Sequence, residues 1–175
     1  MTHEPGDIFV YAPWSRLNET PEEIARRTSR FMEEFSSRVS VGRWRPIQQE
    51  EDEWDGTEAG LAGFIGNRIM RKSDGEHAPE GGYHFLLETE NDLLETCFSV
   101  TAGQSKILEP AYGPSFYQQF GWLPFPDPDQ PPRVSADFLW EASLRAVIPA
   151  FDPIFAAGQE LDVIMEQEPE GWLLP

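Results

Sequence analysis

Two runs, residues 83–90 (YHFLLETE) and 93–101 (LLETCFSVT), flank the dipeptide Asn91-Asp92 and decide how this chain is read. Both are rich in aromatic and β-branched residues and a turn pair separates them, so they predict an antiparallel hairpin. Because Phe85, Leu86 and Leu87 are consecutive, the first strand is expected to be covered on both faces. Residues 106–112 read as a possible third strand, and 7–14 (DIFVYAPW), ended by Pro13, as a first strand entering a loop.

Helical signals surround the hairpin. Thr20-Pro21-Glu22-Glu23 offers a capping hydroxyl, a proline at the first helical position and a glutamate that reaches back to the cap N–H. Ile24, Thr28, Phe31, Met32, Phe35 and Val39 follow at helical spacing, which predicts a helix over 21–39 with one buried stripe. Arg26, Arg27 and Arg30 are read as its solvated face, with local ion pairs to Glu22, Glu33 and Glu34. A shorter, glycine-weakened helix is expected after Thr57, carrying Leu61, Phe64, Ile65 and Ile69, and a polar loop over 72–82. Ser135 is expected to cap a helix that runs to Ile148 and is closed by Pro149 and Pro153, with Phe138 on its apolar side. Residues 113–133, crowded with proline and aromatics, read as an irregular loop packed on the domain. Residues 154–156 and 161–165 are β-like patches.

The chain has 175 residues, the size of one domain, with 13 Lys+Arg against 31 Asp+Glu and a net charge of -18. A field of that sign repels phosphate backbones and anionic lipid, which argues against nucleic-acid or membrane partners and for a basic one. With 39% hydrophobic and 13% aromatic residues, the acid must clothe a folded core. Cys97 is the only cysteine and is expected to be a small buried hydrophobe. The polar, acidic start of the chain and the absence of a long apolar run suggest a soluble cytoplasmic protein.

Chemistry-bearing patterns are sparse. His3, His77 and His84 show no ligand spacing, so no metal or other cofactor is expected. Gly103-Gln104-Ser105 and Gly113-Pro114-Ser115 lack the last glycine of a nucleophile elbow and read as turns. Asp127-Pro128-Asp129 lacks the rest of a calcium loop, and there is no phosphate-cradling glycine loop with a lysine. No catalytic residues are assigned and no enzymatic activity is expected. Two acidic stretches carrying aromatics remain as candidate partner-binding residues: Glu50, Glu51, Asp52, Glu53, Trp54 and Asp55, and Glu166, Glu168, Glu170 and Trp172.

The residues 11–14 (YAPW), then Arg16 and Thr20-Pro21-Glu22-Glu23 with Ala25, Arg26 and Phe31, resemble the opening of the immunity protein 52 family of bacterial polymorphic-toxin systems. Trp44, Gly66-Asn67-Arg68, the 83–101 hairpin, Ala150-Phe151-Asp152-Pro153 and Gly171-Trp172-Leu173 extend that resemblance along most of the chain. Ala12 and Pro13 split the family's aromatic pair, and Pro175 falls where a last strand would continue. The resemblance implies one α+β domain over 1–175, a central mostly antiparallel sheet with flanking helices, that binds and neutralises a cognate toxin or effector domain, often a nuclease. Two other readings compete: an acidic DNA mimic that inhibits a DNA-binding enzyme, and a small hydrolase that uses its carboxylates.

Overall fold

A computed structural model describes residues 8–47, 54–72, 74–90, 94–106, 113–122 and 134–160. The hairpin forms as read, with β3 (Tyr83–Glu90) antiparallel to β4 (Leu94–Ala102) and Leu87 opposite Phe98. Phe85, Leu87 and Thr89 on one strand and Leu94, Thr96, Phe98, Val100 and Ala102 on the other point to a single buried face. Leu86 lies on the opposite face and is 38% exposed, so the expectation of a strand covered on both sides is corrected.

The third long strand lies in the segment that composition suggested was irregular. β5 (Ser115–Trp122) pairs with β4 on one side and with β1 (Ile8–Pro13) on the other, in the middle of the sheet. Its period of two places Phe116, Gln118 and Phe120 inward, and Pro114 falls just before it, where a missing donor costs no ladder bond. Lys106 sits in a bend and residues 107–112, the expected third strand, lie outside the described residues. With β2 (Arg45–Pro46) and β6 (Ala157–Glu160) at its edges, the antiparallel sheet has the order β2-β3-β4-β5-β1-β6. Residues 154–156 precede β6 and are not a strand; 161–165 lie outside the described residues.

Helices cover the inner face of this sheet, which makes the chain α+β. In α1 (Pro21–Ser36) the Thr20 hydroxyl accepts from the Glu23 N–H and the Glu23 carboxylate from the Thr20 N–H, the reciprocal cap read from the sequence. The helix lays Phe31 at the centre of the core, 4.6 Å from the Phe116 ring and 5.0 Å from that of Phe98. α2 (Glu58–Gly66), capped by Thr57, sets Phe64 edge-on to Phe85. α3 (Ala136–Phe151), capped by Ser135, continues one turn past its expected end. Pro149 sits exposed in the last turn, and the helix stops only where Asp152 turns left-handed at φ 47°. Phe138, placed by its spacing on the apolar side, is 44% exposed.

Phe31→Ala removes the ring on which α1, β4 and β5 converge. The expected cost is about 3–5 kcal/mol, read as a lower urea midpoint at unchanged slope.

Candidate binding surface

The first acidic stretch is fixed at both ends. Before it, the Ile47 N–H donates to the Leu86 carbonyl at 3.3 Å beside β2; after it, Trp54 is only 8% exposed. The Trp54 indole N–H donates to the Thr57 carbonyl at 2.7 Å, and Arg43 donates to the Trp54 carbonyl at 2.8 Å. Trp54 is therefore not an exposed aromatic anchor for a partner. Its ring contributes to the core and ties the end of the acidic stretch to the start of α2. Asp55 accepts from the Thr57 N–H at 2.8 Å and from its hydroxyl at 2.7 Å, and these bonds hold its carboxyl below the usual aspartate range. Glu50, Glu51, Asp52 and Glu53 lie outside the described residues. Next to the tether, Met32, Trp44, Trp54, Arg43, Glu33 and Glu58 line a shallow groove of about 370 Å³.

The second stretch follows β6, the last described element, in sequence. Glu166, Glu168, Glu170 and Trp172 lie outside the described residues, which end at Glu160 in β6. β2 and β6 are opposite edges of the sheet, separated by the other four strands, about 24 Å at roughly 4.8 Å per strand. The structure thus places the last strand before each stretch at opposite edges of the sheet.

Arg27, read from the sequence as part of a solvated face, is held inside. Its guanidinium pairs with Glu19, whose side chain is 1% exposed, and donates to the Ala150 carbonyl at 3.0 Å and to the Phe151 carbonyl. It lies 5.0 Å from the Trp14 ring centroid and 5.2 Å from that of Phe151, two rings stacked on each other at 4.9 Å. Glu19 also accepts from the Trp14 indole N–H at 2.9 Å. The carbonyls that α3 leaves unpaired at its last turn thus find donors on α1. A signal for this was present: Arg27 is three residues after Ile24 and four before Phe31, which borders it on the apolar stripe.

Other cations are also matched. Arg26 lies 3.8 Å from Glu58 on α2 rather than pairing with Glu22; Arg38 pairs with Glu34, Lys72 with Glu76, Arg145 with Glu141, and Arg45 with Glu88 and Glu90. His84 and Cys97 are not brought together. The register sets His84 against Thr101, whose hydroxyl is 3.0 Å from Nδ1, and Cys97 against Glu88. Burial lowers the His84 pKa below the ordinary histidine value. Cys97 is half-buried on the outer face of the sheet, not the fully buried small hydrophobe expected. Among the described residues no three of His, Cys, Asp and Glu converge on a metal-sized site, and no helix is long and apolar enough to cross a membrane.

No protein-family model matches this chain, and no curated protein is similar to it.

Two outcomes follow from these geometries. Arg27→Met leaves the Glu19 carboxylate buried without its cation and is expected to cost about 3–5 kcal/mol in denaturant unfolding; adding Glu19→Gln recovers part of the loss. For Asp55 the folded pKa is lowered, so its stabilisation is full above the unfolded value of about 4 and is lost as pH falls through the folded one. Wild type and Asp55→Ala should therefore differ in stability at neutral pH and converge on acidification below about pH 4.

Proposed function

We propose that this protein is a cytoplasmic immunity protein that binds the toxic domain of a polymorphic toxin and blocks its substrate site. The distribution of charge supports this reading most. Arg27 and Arg45 are engaged with Glu19, Glu88 and Glu90 of the same chain, and Arg26, Arg38, Lys72 and Arg145 with nearby glutamates. The net charge of -18 is thus carried by a chain that pairs at least six of its 13 Lys and Arg side chains with its own glutamates. A toxin that cuts nucleic acid must hold phosphates with Lys and Arg, so its working surface has the complementary sign. The resemblance to the immunity protein 52 family supports the same partner class.

In this reading Glu50, Glu51, Asp52 and Glu53 supply the attraction, and Trp54 and Asp55, the residues that follow them, are held to the core and to the start of α2. Glu166, Glu168 and Glu170, with Trp172, supply a second acidic stretch. The protein acts by covering the toxin and performs no chemistry on it. Attraction between the two fields speeds encounter on the order of 10 to 10³-fold at low salt.

Co-expression with the toxin domain encoded beside this chain is expected to restore growth. Neutralising Glu50, Glu51, Asp52 and Glu53 together should slow association with that domain about tenfold at low salt while leaving unfolding unchanged. Continued killing by every neighbouring toxin would defeat the reading, and an unaltered association rate would remove this stretch from the interface.

A further inference from the structure

The three helices lie on the inner face of the sheet, and the outer face is built by the alternate residues of the strands. On β1 and β5 none of those outward residues is charged, in a chain whose net charge is -18. Four rings run across them. Phe9 stacks on Tyr117 at 5.7 Å, the register sets Tyr117 opposite Tyr11, and Tyr11 meets the ring of Phe155, just before β6, edge-on at 6.2 Å. Phe155 is 53% exposed, and Leu86, on the same face of β3, 38%. Because neighbouring rings hold one another, they have little freedom left to lose on contact.

Acid on this face gathers at one corner. Glu88 and Glu90 point outward from β3 and Glu95 from β4, with Glu90 directly opposite Glu95. Arg45 reaches Glu88 at 2.9 Å and Glu90 at 3.5 Å, whereas Glu95 is exposed and forms no ion pair among the described residues. Like charges facing each other across a ladder repel, so a cation brought to this corner relieves a cost that the free protein carries. Glu95 faces Gly121 on β5, four residues and about 13 Å along that strand from Tyr117. One contact of ordinary size, about 800 Å² a side, spans both the corner and the rings.

Aromatic side chains at a centre free of charge, with charge at the rim, are the anatomy of a protein interface. The sign of the rim selects the occupant. A second copy would bring the same carboxylates again, on another body of charge -18, while a basic domain brings the missing cation. We propose that a basic protein domain docks on the outer face of the sheet, with its apolar side chains on the four rings and a Lys or Arg between Glu90 and Glu95. The partner is the toxin domain of the function proposed above, on which this docking rests, and the outer face is the surface that it covers. The acidic stretches act on encounter, and this face acts on residence.

Stopped-flow binding of the full chain to the toxin domain that co-expression identifies tests this. Phe155→Ser and Leu86→Ser, both at exposed positions, should each raise the dissociation rate at least about fivefold with the urea midpoint unchanged. Phe138→Ser, an exposed ring on α3 behind the sheet, should leave that rate as it is. Glu95→Gln should weaken binding several-fold while leaving the free protein as stable or more so, opposite signs that a merely structural role would not produce. Co-expression that identifies no toxin removes the proposed function and this docking together. A toxin that binds wild type and all the variants alike keeps the function and overturns the docking, as does an equal loss in Phe138→Ser. A sedimentation mass that doubles without toxin for wild type and not for Phe155→Ser assigns the face to a second copy and overturns it as well.

Discussion

Arg27 is the joint on which the arrangement of the layers depends. From α1 it reaches the carboxylate of Glu19 before the helix and the last carbonyls of α3, with its flat face over Trp14 and Phe151. Two consecutive segments and one distant in sequence thereby share one charged group: the end of β1 and its loop, α1, and the last turn of α3. A guanidinium suits this place because it is planar, always charged and able to donate in several directions at once. Without it, a buried carboxylate and a row of helix-end carbonyls would be left unsatisfied together. The helix can run through Pro149 to Phe151 because donors wait for its final carbonyls.

The same accounting of charge separates what holds the fold from what faces outward. Cations are few, and those that define the architecture are committed within the chain: Arg27 to Glu19, Arg45 to Glu88 and Glu90 at the β2 edge, Arg43 to the Trp54 carbonyl. Aromatic residues are committed as well, with Trp14, Trp44 and Trp54 all in the core. The surface keeps the larger share of acid, with 31 Asp+Glu against 13 Lys+Arg in the chain. The residues that carry the resemblance to the immunity protein 52 family, Trp14, Phe31, Trp44 and Phe151 among them, are largely core-builders, so they speak to how the chain folds more than to what it touches.

Local patterns of the sequence were legible where a single segment determines its own state. The capping box at Thr20, the pairing of the two hairpin strands and the stripe on α1 depend on near neighbours and form as read, except that α1 ends at Ser36 and leaves Val39 buried in the turns after it. Features that depend on distant segments were not legible. β5 looked irregular because its flanking prolines dominate the composition, although Phe116, Gln118 and Phe120 alternate between them. Trp54 looked like an exposed anchor because five acids surround it in sequence, while its ring is held by Thr57 and the core in space. Arg27 looked solvated because charge usually is, and only the fold brings it α3.

In the function we propose, surplus carboxylate on a folded core draws a basic protein domain to the surface. The most direct measurement is the association rate with the toxin domain that the proposed function calls for, followed by stopped flow as ionic strength is raised from low to physiological values. Electrostatic attraction of this kind predicts a steep fall in that rate, by about one to two orders of magnitude, with dissociation changing far less. A rate independent of salt would mean that the acidic surface plays no part in recognition.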